Sequence, residues 1–421
     1  MSALKGVVGG RIANARVLRE GPLSRALFVL NGDGEETRLV GGTVRDLAFG
    51  NLPDGDFDLA TTALPEETMR RARAAGFGVV PTGLAHGTVT LLVEGRPFET
   101  TTLREDVETF GRHATVKFGR DFQLDAERRD FTINALSVDA IGRVHDYCGG
   151  LDDLEAGRVR FIGAARDRIR EDYLRILRFF RFSARFARGP LDAEGLAASI
   201  AERDGLEGLS RERVRAELMK LVVAPRAGET IVAMADSGLA SALLAGVCVP
   251  ARLGRAIVAE AALSEPPDAL VRLAALDVFV REDADRLRER LRLSNAEHDR
   301  LSSFARAFET QHGATTPPSL GDLRVLLFER GRQGARDAML IRAIEAGGAA
   351  DLARFASAFR FVSDTPQPRL PFSGADILAL GVPPGAGVGA ILKRLQALWI
   401  RAGFPKEPEV LARLLDEAAK D

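Results

Sequence analysis

A chain of 421 residues, 46% of them apolar, has material for roughly two to four domains with cores of their own. Its 58 basic and 59 acidic residues leave a net charge of −1, which excludes capture of nucleic acid by overall attraction and requires local basic patches instead. No apolar run is long enough to cross a membrane, and the two cysteines, Cys148 and Cys248, can build neither a disulfide framework nor a zinc knuckle.

The first thirty residues carry Arg and few acids but lack the apolar centre of a secretory signal. An ordinary cytoplasmic N-terminus is expected, with residues 1–36 as a helical lead-in. Residues 37–40 predict a strand, 44–49 a short helix, 58–61 a second strand, and 65–75 a helix with Pro65 in its first turn. Thr, Val and Leu alternate in 77–80, 87–93 and 97–103, which predicts three further strands. Glu94-Gly95-Arg96 reads as a hairpin turn between the last two. So much antiparallel pairing is unlike a doubly wound parallel sheet.

Residues 104–127 mix charge, Gly and single aromatics, and read as a mobile loop crossing the site. Order returns near Arg129 with a helix start, a strand over 136–139 and another ending at Tyr147. Apolar spacing of three and four then recurs in 166–188, 191–202, 210–223, 228–236 and 268–292. The expected fold is therefore α+β: a mixed-sheet head over 37–160, a helical neck over 161–237, a helical body over 238–370 and a helical tail over 371–421. No internal repeat is evident, and His298-Asp299 reads as an exposed pair on a helix. Late in the chain, the run from Gly381 to Gly389 joins amphipathic stretches at 374–380 and 388–401. It reads either as a tight turn between packed helices or, with Lys393 and Arg394, as a grip on an RNA phosphate.

Chemistry concentrates at Asp56-Phe57-Asp58, ten residues beyond the turn Gly41-Gly42-Thr43-Val44-Arg45-Asp46. Residues two apart on a strand share a face, so the two acids can converge on one metal position. The Gly-Gly turn offers backbone N–H groups at a helix start, where phosphate binds. Nucleotidyl transfer needs these parts: carboxylates on a rigid face for divalent metal, and a cradle for the triphosphate. Glu99, on a neighbouring predicted strand, is the candidate third carboxylate. In Arg128-Arg129-Asp130-Phe131-Thr132-Ile133-Asn134, Arg129 suits triphosphate oxygens and Asp130 suits ribose hydroxyls. A helix cap explains Asp130 equally well. Asn134 is expected to brace the site from behind.

Residues 166–188 hold eight Arg against three acids, a local excess of five. Asp172, Arg175, Arg178 and Arg181 follow at intervals of three, a stripe expected to meet solvent or ligand because Leu174, Leu177 and Phe180 occupy the opposite face. On their pairing edges, cytosine and adenine present an amino donor beside an unprotonated ring nitrogen. Asp172 can accept from the first while Arg175 donates to the second; uracil and guanine reverse that order. The pair is expected to admit CTP and ATP and to reject UTP and GTP.

These ordered motifs, from about residue 38 to 224, resemble the class II nucleotidyltransferases, the bacterial CCA-adding enzymes and poly(A) polymerases. The resemblance implies Gly41, Gly42 and Arg45 at the nucleotide, Asp56 and Asp58 at Mg2+, and Arg129-Asp130 at ribose and phosphate. It implies Asp146-Tyr147-Cys148-Gly149-Gly150 with Asp153-Leu154 as a head–neck hinge. Glu171-Asp172-Tyr173-Leu174-Arg175 is similar to the family's amino-acid template, with Arg178 and Arg181 as further nucleotide contacts. Arg213 and Glu217, within the motif over 210–218, would brace the neck. Gly83 to Thr90 and Gly111-Arg112-His113 look like CCA-adding members; poly(A) synthesis, or partial CC or A addition, is the alternative. The implied partners are the tRNA 3′ end, CTP and ATP, with no membrane and no obligatory protein partner.

Overall fold

The computed structural model describes residues 6–50, 57–110, 113–311, 316–347 and 349–420, and the side chains among them except 105–110, 113–117, 310–311 and 349–351. It divides into two compact units, Met1–Ala245 and Gly246–Asp421.

In the first unit, helices Gly6–Ala13 and Pro22–Leu30 precede the sheet and bury Ile12, Leu23, Leu27 and Leu30. Nine strands follow: β1 (Thr37–Val40), β2 (Phe57–Thr61), β3 (Gly78–Gly83), β4 (Thr88–Val93), β5 (Arg96–Thr102), β6 (Arg104–Phe110), β7 (His113–Phe118), β8 (Ser137–Val138) and β9 (Val144–His145). Seven form one mixed sheet in the order β3-β4-β5-β2-β1-β8-β9. Only β2 and β5 run parallel; every other pairing in it is antiparallel. Glu94 and Gly95, both at positive φ (53° and 77°), make the β4–β5 hairpin turn, whose twist matches the flanking strands.

The segment expected as a mobile loop is instead regular in its described residues; Gly111 and Arg112 lie outside them. β6 and β7 pair as a separate two-stranded antiparallel sheet, and helix Phe122–Glu127 follows, capped by Asp121, whose carboxylate accepts from the N–H of Gln123 and Leu124. A hairpin with a register shift blurs the two-residue alternation that marks a strand, which is why it escaped sequence patterning. The ordered element expected to start at Arg129 is a single short turn over Thr132–Asn134, and Asp130 caps no α-helix.

The stretch 166–188 is two helices, Ala165–Glu171 and Leu174–Phe186. Asp172 is extended between them (φ −156°, ψ 105°), its carboxylate accepting from the Leu174 N–H at 3.2 Å. That local bond competes with helix continuation, as short acidic side chains do. The ring of Tyr173 fills the space a side chain on Gly205 would need and pins the break. Helices Ala193–Ala201, Arg211–Val222, Ala227–Asp236 and Leu239–Leu244 complete the unit.

In the second unit the described residues are helices and connections only. Its interior holds charge pairs, including Arg272–Glu260 at 2.7 Å and Arg300 with both Asp268 (2.7 Å) and Asp337 (2.8 Å). His298 is buried rather than exposed, its Nε2 lying 2.6 Å from an Asp285 oxygen. Near the chain end, helices Gly374–Ala379, Ala386–Arg401 and Pro408–Ala419 pack around Ile377, Ile391, Leu395 and Ala418, and the Gly/Pro run connects the first two.

Candidate active site

The site begins with the alternation of β2 and β5. Phe57 and Phe98 point into the core and stack at 5.1 Å between ring centroids, while their chain neighbours Asp58 and Glu99 point outward. The parallel register sets Phe57 beside Phe98 and Asp58 beside Glu99. Two carboxylates thus stand side by side on one rigid face, held from below by two buried rings. Asp56 lies outside the described residues, and among those described no three His, Cys, Asp or Glu side chains gather to hold a metal.

Gly41 follows β1 at φ 75°, ψ −143°, a conformation nearly closed to other residues. A Cβ there would lie 3.1 Å from Asp58 Oδ2, so the missing side chain lets the turn approach the carboxylate. The helix Gly42–Ala48 starts at that point.

Asp58 and Glu99 open onto a cleft of about 340 Å3 whose far wall is Asp125, Arg128 and Arg129. Asp125 is buried, with one oxygen accepting from Arg128 Nε at 2.9 Å and the other from Arg129 Nη2 at 3.0 Å. Burial opposes its ionisation, yet the two guanidiniums hold its carboxyl below the usual range.

A second network joins sheet to helices. Asn134 donates to Asp130 Oδ1 at 2.9 Å and accepts from Arg45; Asp130 Oδ2 accepts from Arg178 Nε at 2.7 Å. Arg181 pairs with Glu217, and Arg178 Nη1 lies 3.8 Å from the other Glu217 oxygen. Desolvation works against the Asp130 charge, but Arg178 and the hydrogen bonds to Asn134 and the Phe131 N–H keep its pKa low. Arg45 sits over the rings of Phe182 and Phe186, and burial lowers its pKa to about 10. The arginine stripe therefore meets protein carboxylates as well as solvent: the Arg181 side chain is only 12% exposed.

At the helix break, Asp172 and Arg175 have separate partners. Asp172 Oδ2 accepts from Arg213 Nη2 at 2.6 Å. Arg175 Nη1 donates to Glu171 Oε2 at 2.5 Å and to the Arg168 carbonyl at 2.8 Å. Glu171 and Arg213 thus each hold one member of the candidate base-reading pair.

Residues 37–160 match the Poly A polymerase head domain family, and 191–248 match the family described as the probable RNA and SrmB-binding site of polymerase A. The CCA tRNA nucleotidyltransferase 1, mitochondrial, of Danio rerio is 35% identical over 404 residues, covering 91% of this chain and 88% of its own. The CCA-adding enzyme of Limosilactobacillus fermentum is 30% identical over 392 residues, 92% of this chain and 94% of its own. The chain belongs to the class II CCA-adding nucleotidyltransferases. The fold of the family agrees: the crystal structure of the Bacillus stearothermophilus CCA-adding enzyme in complex with CTP superposes with a TM-score of 0.71 at 26% identity, over 94% of this chain and 96% of that one.

For a CCA-adding nucleotidyltransferase read from sequence, the omission that matters is Asp125, which holds both cleft arginines. Its relation to Arg128 and Arg129, three and four residues on, is the spacing of neighbours on a helical turn. The signal was lost because its segment read as a loop. Arg168, whose carbonyl holds Arg175, was counted only as one charge among eight.

Proposed function

We propose that this protein adds C, C and A in turn to the 3′ end of tRNA from CTP and ATP, without a nucleic-acid template. The observation that carries the reading is the Asp58–Glu99 pair, two carboxylates in parallel register facing an arginine-lined cleft, in a chain of this family.

Asp58 together with Asp56 would hold Mg2+, since carboxylate oxygens on a rigid strand suit a small hard cation. When bound, the ion would lower the charge repulsion at the triphosphate and activate the tRNA 3′-hydroxyl. Arg129, fixed by Asp125, binds phosphate oxygens across the cleft, with Gly41 and Gly42 giving the triphosphate close backbone approach. Glu99, beside Asp58, orients the attacking hydroxyl. Asp130 meets the ribose, and Arg178 and Arg181 complete the nucleotide's surroundings. Arg45, stacked on the helix Leu174–Phe186, supports the site from behind.

Asp172 and Arg175 read the base. An acceptor oxygen has two lone pairs, so Asp172 keeps capacity for an amino donor while bound to Arg213 and the Leu174 N–H. Both Arg175 bonds leave from Nη1, and its remaining donors suit the ring nitrogen of C or A.

The cytoplasm is proposed as the place of action because both cysteines are free and half-buried, as a reducing compartment allows. Among the described residues no helix is long and apolar enough to cross a membrane.

Supplying CTP, ATP and tRNA lacking its terminus, and sequencing the product ends, tests the reading. It predicts three defined additions; a long A tract would give the activity to poly(A) synthesis, and two or one would make the enzyme a partial adder.

A further inference from the structure

We propose that Arg168 is a positioning residue for base selection: it fixes Arg175 and ties it to the segment that carries Asp130. The inference rests on the reading that Arg175 contacts the base.

Four hydrogen bonds converge on Arg168. Its Nη1 donates to both Glu171 oxygens, at 3.0 and 3.2 Å. Its carbonyl accepts from Arg175 Nη1 at 2.8 Å, the same nitrogen that Glu171 holds. Its Nε donates to the Ile162 carbonyl at 3.1 Å, and the Ile162 N–H donates in turn to the Asp130 carbonyl at 3.1 Å. Arg168 thus stands at the junction of two paths, one through Glu171 to Arg175 and one through Ile162 to Asp130.

The physical need for such a junction follows from the helix break. In an unbroken helix the backbone itself would set where Arg175 stands relative to residue 168. Here Asp172 is extended, and the helix Leu174–Phe186 starts afresh, so its first turn needs another constraint. Arg175 supplies it by reaching back across the break to the Arg168 carbonyl and to Glu171, and the planar Arg168 guanidinium holds Glu171 in place by engaging its carboxylate and the Ile162 carbonyl at once. A lysine offers a single nitrogen on a flexible stem and cannot reproduce that fork. The Arg168 side chain is 23% exposed and Arg175 16%, while Glu171 between them is 38% exposed.

The test compares Arg168→Ala, Arg168→Lys, Arg175→Ala and the Arg168→Ala/Arg175→Ala double variant. For each, kcat/KM is measured for CTP, UTP, ATP and GTP on the matching tRNA ends, beside thermal unfolding. Arg168→Ala keeps the backbone carbonyl that holds Arg175 but frees Glu171, the reader's other anchor, and should cut the preference for CTP over UTP and for ATP over GTP roughly tenfold. Arg168→Lys should resemble Arg168→Ala, and the double variant should discriminate no worse than Arg175→Ala alone, because Arg168 acts through Arg175. Equal loss on all four nucleotides in Arg168→Ala, with Arg175→Ala relaxed, would overturn the proposal and leave the base-reading role standing. Unchanged discrimination in Arg175→Ala would instead overturn the reading beneath it.

Discussion

Gly41 is the residue on which the geometry of the carboxylate face turns. Its positive φ disfavours a side chain, and at 3.1 Å from Asp58 Oδ2 a methyl group would fit only by pushing the carboxylate aside. Gly41→Ala should destabilise the protein by about 1–3 kcal/mol from backbone strain and, by displacing Asp58, should depress nucleotide incorporation far more than the shift in melting temperature explains. Thermal unfolding and incorporation measured on the same preparation check this. At this scale much was readable from sequence. The Asp-x-Asp spacing beyond the Gly-Gly turn singled out Asp58, and Glu99 followed as a carboxylate on a neighbouring predicted strand. The partners of Asp130, Asp172 and Arg181 were not readable, because Arg178, Arg213 and Glu217 come from helices 36 to 48 residues away. Long-range pairing leaves no local pattern.

At the scale of elements, the two misread segments fail for different reasons. The β6–β7 hairpin escaped because its register shifts within the pairing, and the helix over 166–188 was joined across Asp172 because apolar periodicity runs through the break. The break is what separates Asp172 from Arg175 and gives each its own partner. Between helices Leu174–Phe186 and Arg211–Val222, Arg181 and Glu217 form a pair with 12% and 9% exposure. Glu217→Ala would strand Arg181 in a buried setting and should cost about 3 kcal/mol in a denaturation experiment, whereas Arg181→Met with Glu217→Leu should recover most of that loss. Asp125 and Asp130 both have folded pKa values below the ordinary 3.8. A depressed carboxyl contributes stability above its unfolded pKa and loses it as pH falls through the folded one. Urea midpoints should therefore drop for the wild type as pH falls below about 4, and the Asp125→Asn/Asp130→Asn variant should show a flatter decline.

Taken whole, the molecule reconciles a net charge of −1 with a polyanionic substrate by local placement of its basic groups. Many arginines of the first unit are neutralised by Glu171, Glu202, Glu217 and Asp125, so affinity for tRNA must draw on others. In the second unit, Lys393 is exposed on helix Ala386–Arg401 and Arg394 is half-buried. We expect Lys393→Ala/Arg394→Ala to weaken tRNA binding and to flatten its dependence on salt, as titrations at several salt concentrations will show. The division between the two units falls after Ala245, close to the neck–body boundary expected at 237–238; its exact place carries no local mark because helical periodicity runs on both sides of it.

The most direct test is incorporation of CTP and ATP into tRNA lacking its 3′ terminus, by wild type and by Asp58→Ala, with the fold of each followed by circular dichroism. Asp58 is exposed on β2 rather than in its core, so its removal should leave the fold intact while abolishing all three additions. A folded Asp58→Ala protein that still extends the tRNA would contradict the account.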